Sequence, residues 1–231
     1  MGANGSSLTG KASLAPSLRL HGLTSARLLQ VDAMFDRFRG MGSTFALGLA
    51  AFENLTSLEG VAARQIFREI FDTDRNGLVD AYEVMGCLTL CSQLTKAEKI
   101  ERMYRMFDFN GAGGLTLDEM TMLLRCAAYS CAKTDPALSF PATDEVELMS
   151  ATAFELAQVD AVEGEMTLAH FQDYCTVPLV AMFLDYFDSP LCQVRHPGRG
   201  WRVGWGAARR SAAGLGLGGY NQSIAQFGVT G

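Results

Sequence analysis

The sequence predicts an all-α protein whose helical body is flanked by two extended arms. Apolar residues recur at helical spacing along the middle of the chain, as at Ile66 with Ile70 and at Ile100 with Tyr104. Strand-like alternation of apolar and polar residues is nearly absent there. Ten glycines follow Pro190 without any helical pattern, so that segment cannot fill a core of its own. We therefore expect arms at 1–27, which is rich in glycine, serine and leucine, and at 189–231.

Charge is distributed unevenly along the chain. The 231 residues carry a formal net charge of −6, and all 25 acidic residues lie from Asp32 to Asp188. That stretch has a net charge of −14, whereas the segments before and after it carry +3 and +5. An acidic body with two basic arms results.

Several classes of protein are not expected. No apolar run reaches the ~18 residues that span a bilayer, and no secretory leader is present, so a cytoplasmic protein is predicted. Six cysteines form no CxxC pair and no zinc spacing, which predicts reduced, half-buried thiols. Three scattered histidines, without an HExxH motif or a phosphate-binding loop, argue against an enzyme. No nucleic-acid partner is expected.

Two local signals predict helix boundaries. Thr95 and Glu98 have the spacing of a capping box, which predicts the start of the helix that leads to Phe107. Pro136 and Pro141 lie in the segment CAKTDPALSFPA, and they predict a linker over 131–142.

The twelve-residue segment DTDRNGLVDAYE carries the strongest functional signal. Carboxylates so close together repel one another unless a cation lies among them, and Ca²⁺ takes roughly six to eight oxygen ligands. Gly77, at position 6, permits the sharp turn that such a loop needs. Numbered from its first aspartate, the loop places oxygen ligands at positions 1, 3, 5, 7, 9 and 12: Asp72, Asp74, Asn76, the main-chain carbonyl of Leu78, Asp80 and Glu83.

A second copy of the pattern begins at Asp108 with DFNGAGGLTLDE. Position 5 is Ala112, which has no side-chain oxygen, and the loop has two carboxylates at ligand positions where the first has four, so weaker Ca²⁺ binding is expected. A structural loop without useful affinity is the alternative. The predicted weaker ligands are Asp108, Asn110, Gly114, Thr116 and Glu119.

A fainter third copy lies in VDAVEGEMTLAHF. Gly164 falls at position 6 and Met166 at the apolar position 8. The ligand positions 1, 3 and 12 hold Val159, Ala161 and His170. We therefore expect a loop that keeps the fold without binding a metal.

These loops resemble those of the EF-hand calcium-binding superfamily. Val79 and Leu115 occupy position 8, where EF-hands pair through a short β contact. Because such units pack in pairs, a fourth and cryptic unit is expected within 28–52, in a register that the sequence leaves open. The layout is similar to that of the neuronal calcium sensor and calcineurin B proteins. It implies one lobe over 28–92 and a second over 95–188, with two or three of the four units degenerate.

The resemblance implies a non-enzymatic calcium sensor or adaptor that binds protein partners. Its partner would be a target helix or an acidic assembly surface such as tubulin. The alternative is a constitutive component of a large cytoskeletal assembly, since axonemes of cilia and flagella contain EF-hand proteins similar to this description, some of them bound to microtubules. Ca²⁺ is the expected cofactor, with one strong site and a second weak one.

The arms carry two further candidate sites. MGANGS fits the pattern for N-myristoylation with Gly2 as acceptor, and a membrane partner is expected only if that lipid is attached. The C-terminal arm mixes arginine with tryptophan, which favours binding to an acidic partner over a solvated tail. Its candidate contact residues are Arg195, Arg199, Trp201, Arg202, Trp205, Arg209 and Arg210.

Overall fold

The computed structural model describes residues 28–42, 45–134 and 140–176, and these ranges are mainly helical. The all-α prediction is confirmed. A π-helical turn, Phe67–Phe71, directly continues the third helix. The described helices are α1 (Leu28–Gly40), α2 (Leu49–Thr56), α3 (Gly60–Ile66), α4 (Ala81–Cys91), α5 (Lys96–Phe107), α6 (Leu117–Thr134), α7 (Thr143–Leu156) and α8 (Leu168–Tyr174).

Both predicted arms lie outside the described residues. This applies to Gly2 and to the arginine- and tryptophan-rich segment, and also to 177–188 at the end of the second predicted lobe. No helix in the described ranges combines the length and the apolarity that crossing a bilayer requires.

Two short antiparallel ladders join the helix–loop–helix units in pairs. In the first ladder Leu47 lies opposite Val79, and in the second Leu115 lies opposite Met166. The first pair therefore consists of α1–α2 with α3–α4, and the second pair of α5–α6 with α7–α8. The strands are β1 (Ala46–Leu47), β2 (Val79–Asp80), β3 (Gly114–Leu115) and β4 (Met166–Thr167).

The ladders determine the register of the first and fourth loops. Val79 occupies position 8 of its own loop, so its partner Leu47 takes the same position and the first loop spans 40–51. That stretch, GMGSTFALGLAA, contains no acidic residue. In the second ladder Met166 lies opposite Leu115, in agreement with the register that has Gly164 at position 6.

Helix α5 begins at the predicted capping box. Thr95 Oγ1 accepts a hydrogen bond from the Glu98 amide at 3.3 Å, and Glu98 Oε2 accepts one from the Thr95 amide at 2.8 Å. The Thr95 hydroxyl also donates to Glu98 Oε2 at 2.8 Å. The bonds from this hydroxyl and from the Thr95 amide lower the pKa of the Glu98 carboxyl. Both partners of the motif thus stabilise the start of the helix.

The predicted linker over 131–142 is wrong at its beginning, because α6 continues to Thr134. Cys131 lies in this last part of α6 and is buried, so tertiary packing continues the helix past the start of the predicted linker. Five cysteines of the described ranges are buried: Cys87, Cys91, Cys126, Cys131 and Cys175.

An aromatic cluster around Tyr82 joins the two pairs. Its ring centroid lies 5.4 Å from that of Phe38 and 5.6 Å from that of Phe45, both in the first pair. Phe107 and Phe109, in the second pair, lie 5.4 Å away on the same measure. Aromatic pairs at these separations stabilise a fold beyond the area that they bury. Tyr82 is therefore a central contact between the two pairs.

An ion pair and a close approach of two helices also connect the pairs. Arg102 on α5 forms an ion pair with Asp32 on α1: Nε lies 2.9 Å from Oδ1, and Nη2 donates a hydrogen bond to Oδ2 at 3.3 Å. Helices α4 and α6 approach closely at Gly86, where a Cβ atom would overlap Cys126 Sγ. Burial raises the pKa of the Cys126 thiol well above its ordinary value, and the thiol donates a hydrogen bond to the Tyr82 carbonyl at 3.2 Å.

Replacing Tyr104 with phenylalanine is expected to lower the free energy of unfolding by about 1–2 kcal/mol, because a buried hydroxyl is lost beside two carbonyls. Its oxygen lies 2.8 Å from the carbonyl oxygens of both Gly113 and Met166. Burial raises the pKa of Tyr104 to about 12. The contribution of the neutral hydroxyl is therefore complete below its ordinary pKa and declines as the pH rises through the folded-state value. Urea unfolding of the wild type and of Tyr104→Phe at about pH 8 and about pH 11.5 measures this contribution. Equal stabilities of the two proteins at the lower pH would contradict the prediction.

Candidate metal centre

The acidic loop that begins at Asp72 follows the π-helical turn directly. The Asp72 amide donates to the Phe67 carbonyl at 2.8 Å, five residues back, which closes the turn. Single π-helical turns inside helices occur frequently at functional sites. Asp72 itself is only 5% exposed. The incoming helix therefore delivers a buried carboxylate to the start of the loop.

Hydrogen bonds inside the loop hold its predicted ligands. The Asp72 carboxylate accepts from the Gly77 amide at 3.2 Å and 3.3 Å. Asp74 Oδ1 accepts from the Asn76 amide at 3.3 Å, and Asn76 Oδ1 accepts from the Leu78 amide at 2.7 Å. These bonds gather the oxygens of positions 1, 3 and 5 around one tight turn.

The loop that begins at Asp108 repeats this conformation. Its first carboxylate accepts from the Gly113 amide at 3.0 Å, and Asn110 Oδ1 accepts from the Ala112 amide at 2.8 Å. These are the same positions, 1 with 6 and 3 with 5, that are bonded in the Asp72 loop. The backbone of the Asp108 loop therefore has the hydrogen-bonding pattern of the Asp72 loop even where a ligand side chain is missing.

Backbone angles support the same equivalence. At position 4, Arg75 has φ +59° and Gly111 has φ +67°. At position 6, Gly77 has φ +81° and Gly113 has φ +82°. Glycine adopts this left-handed conformation without steric cost, which explains its presence at position 6 of both loops.

The two loops differ at position 12. Glu119 folds over its own loop: Oε1 accepts from the Phe109 amide at 3.2 Å, and Oε2 accepts from the Thr116 amide and hydroxyl, both at 2.9 Å. Glu83 instead directs Oε2 to the ammonium of Lys133 at 3.2 Å. One predicted ligand of the Asp72 loop is therefore oriented toward a cation of the protein itself.

Position 9 provides a reason for this difference. Thr116 donates its hydroxyl proton to Glu119 in the Asp108 loop. The Asp72 loop has Asp80 at the same position, which caps α4 by accepting from the amides of Tyr82 at 2.8 Å and Glu83 at 3.0 Å. An ionised aspartate has no proton to donate and repels a neighbouring carboxylate. The Glu83 carboxylate thus lacks the local partner that holds Glu119.

The loop that contains Gly164, the fourth in chain order, has a different backbone conformation. Asp160 Oδ1 accepts from the amides of Val162 at 2.8 Å and Glu163 at 2.9 Å, and these bonds, first the one from Glu163, lower the pKa of the Asp160 carboxyl. Gly164 does not adopt the left-handed conformation of the two preceding loops. A Cβ atom there would overlap the Asp160 carbonyl oxygen. Glycine is required at this position for space.

The donor set of the Asp72 loop has the chemistry that Ca²⁺ prefers, namely carboxylate, amide and carbonyl oxygens. In the part of the chain that the structure describes, no three carboxylate, histidine or cysteine side chains converge on one point. The Glu83 carboxylate lies against Lys133, whereas the Glu119 carboxylate lies over its own loop. The residues fit the ion by the chemistry of their oxygen donors, and Glu83 would have to leave Lys133 to take part.

Lys133 is the residue near this loop that sequence reasoning missed. It follows Glu83 by 50 positions, outside the loop motif, and a lone lysine near the end of a helix is an ordinary surface residue. Only the packing of α6 against α4 and the π-helical turn reveals the contact.

Comparison with known proteins gives one partial similarity. A recoverin family protein of Dictyostelium discoideum is 28% identical over 119 residues, which are 47% of this chain. The chain covers 52% of that protein, about half the length of the curated relative that it matches. No protein-family model matches the sequence. The similarity suggests the EF-hand calcium-sensor group, in agreement with the two loops of shared conformation.

Proposed function

We propose that the protein is a non-enzymatic calcium-binding protein built from four EF-hand units in two pairs. The observation that carries the proposal is the hydrogen-bonding pattern that the Asp72 and Asp108 loops share. In the Asp72 loop this pattern is combined with side-chain oxygens at positions 1, 3 and 5. The ladders between paired loops and the similarity to a recoverin family protein support it.

The Asp72 loop is the principal site in this proposal. Asp72, Asp74 and Asn76 would supply side-chain oxygens, Leu78 its carbonyl, and Glu83 both carboxylate oxygens. A bound Ca²⁺ would neutralise the crowded carboxylates of the loop. Since Asp72 ends the π-helical turn and Glu83 lies in the first turn of α4, binding would link the two helices that flank the loop.

The Asp108 loop is the weaker site. Asp108, Asn110, the Gly114 carbonyl, Thr116 and Glu119 would be its ligands. Ala112 supplies no side-chain oxygen at position 5, so this loop offers fewer charged donors than the Asp72 loop. Charge count and rigidity are the properties that tune the affinity of such loops.

The protein would act as a calcium-dependent adaptor. Reorientation of helices around an occupied EF-hand exposes an apolar groove in sensor proteins, and an amphipathic helix of a partner binds there. We propose a protein partner of this kind for the present chain. The arginine- and tryptophan-rich arm would provide a second contact with an acidic partner.

Calorimetric titration with Ca²⁺ tests the proposal. The wild-type chain is expected to bind one ion with a dissociation constant on the order of 10⁻⁷–10⁻⁵ M and a second ion more weakly. Asp108→Ala is expected to remove only the weaker event, because Asp108 belongs to the second loop. Absence of any binding to the wild type would contradict the proposal. Binding of an apolar dye that rises with Ca²⁺ would support the adaptor, whereas an unchanged dye signal would support a constitutive scaffold.

A further inference from the structure

One ammonium group contacts both helices that flank the Asp72 loop. Lys133 Nζ lies 3.2 Å from Glu83 Oε2, in the first turn of α4. It also donates to the carbonyls of Ile70 and Phe71, each at 3.4 Å, in the π-helical turn that precedes the loop. The Lys133 side chain is only 6% exposed, and its nitrogen lies 5.6 Å from the centroid of the Phe71 ring.

These contacts satisfy the hydrogen-bonding capacity of the lysine. An ammonium has three protons, and the three oxygens match that number. The two carbonyls lie at the C-terminal end of a helical segment, where the helix dipole favours a cation, and the Phe71 carbonyl also accepts from the Thr73 amide at 3.0 Å. Lys133 therefore has a defined position beside the Asp72 loop.

Helix α6 connects this position with the other loop. Its first turn contains Glu119, the position-12 residue of the Asp108 loop, and its last turn contains Lys133. The C-terminal end of α6 thus packs against the Asp72 loop, whereas its N-terminal end belongs to the Asp108 loop. A change at Glu83 acts directly on the last turn of α6.

We infer that Lys133 competes with Ca²⁺ for Glu83, so that Ca²⁺ binding to the Asp72 loop breaks the ion pair that holds the last turn of α6 against α4. The inference rests on the proposed function and names the regulation of that site. A bidentate position-12 ligand turns both oxygens to the metal, whereas Glu83 Oε2 is held by the lysine. Two cations so close also repel each other strongly in a partly buried site. The same residue thereby sets the calcium affinity and couples the site to the second pair.

Position 12 of the Asp108 loop is bonded differently. Glu119 is held by Phe109 and Thr116 of its own loop. Ca²⁺ binding there would exchange hydrogen bonds within one loop and break no ion pair with a distant helix. The coupling therefore belongs to the Asp72 site.

Replacing Lys133 with methionine is expected to raise the Ca²⁺ affinity of the Asp72 site by about fivefold or more, a typical size for coupled sites. Methionine keeps much of the apolar stem but removes the charge. The measurement is calorimetry on the full chain, with Arg102→Met as matched control. Arg102 also forms an ion pair between the two pairs, with Asp32. Its loss is expected to leave the affinity within about twofold.

Hydrogen exchange supplies a readout independent of affinity. In the wild type, Ca²⁺ is expected to accelerate amide exchange at 131–133, because the last turn of α6 loses its contact with Glu83. In Lys133→Met the exchange there is expected to be fast already and insensitive to Ca²⁺. If circular dichroism finds Lys133→Met unfolded, Lys133→Gln replaces it, since glutamine retains donors for the two carbonyls.

The outcomes separate the inference from the proposed function. Tight Ca²⁺ binding with the same affinity in the wild type and the Lys133 variant would overturn the inference and leave the calcium site intact. Unchanged exchange at 131–133 on addition of Ca²⁺ to the wild type would also overturn it. No Ca²⁺ binding to the wild type would overturn both. The inference would be supported by a raised Ca²⁺ affinity in the Lys133 variant together with amide exchange at 131–133 that depends on Ca²⁺ in the wild type but not in the variant.

Discussion

Replacing Glu83 with glutamine is expected to weaken Ca²⁺ binding at the Asp72 loop more than tenfold. Position 12 is the ligand that offers two oxygens, and an amide offers one neutral oxygen instead. The substitution also removes the charge that faces Lys133 at 3.2 Å. Loss of the ligand dominates, because the ion requires the carboxylate itself whereas Lys133 retains its two carbonyl contacts.

Calorimetry measures this effect, with Glu119→Gln as the matched control. Glu119 occupies position 12 of the other loop, so its substitution is expected to leave the tight event unchanged and to affect only the weak one. If Glu83→Gln left the affinity of the tighter Ca²⁺ binding event unchanged, the assignment of Glu83 as a ligand would be refuted. Combination with Lys133→Met refines the result. In that background Glu83→Gln is expected to reduce the Ca²⁺ affinity by a larger factor, because the competing ion pair is already absent.

Replacing Phe52 with alanine is expected to lower the free energy of unfolding by about 3–5 kcal/mol, the range for large aromatic residues in a core. Phe52 has 0% exposure. Its ring centroid lies 5.4 Å from that of Phe67 and 5.8 Å from that of Phe71. The side chain thus packs α2 of the first unit against the helix that leads to Asp72, and its loss leaves a cavity at that contact.

Denaturant unfolding without Ca²⁺ measures this cost, with Phe140→Ala as control. Phe140 is 51% exposed and its ring contacts that of Tyr129 at 4.9 Å. Truncation there is expected to cost about 1 kcal/mol or less, as is usual for partly exposed positions. Equal costs at the two sites would contradict the packing of the first unit on the second. Since Phe52 also supports the helix before the loop, Phe52→Ala is expected to weaken Ca²⁺ binding as well.

Local sequence determines the candidate loops themselves. The predicted ligands of the Asp72 loop lie within twelve consecutive residues, and glycine at position 6 together with short-range side-chain bonds shapes the turn. The recurrence of this geometry at Asp108 follows for the same reason, since Asp108 and Asn110 bond their own loop. The capping box of Thr95 and Glu98 and the all-α class likewise depend on neighbours a few residues apart.

Tertiary structure decided what depends on distant partners. The register of the first loop follows from the ladder between Leu47 and Val79, and burial of Cys131 extends α6 to Thr134, past the start of the predicted linker. The orientation of Glu83 follows from Lys133, 50 residues later. Short-range motifs can be recognised in one stretch of chain because their energetics are local. Contacts between helices depend on how whole apolar faces pack, and no single stretch of this sequence encodes that choice.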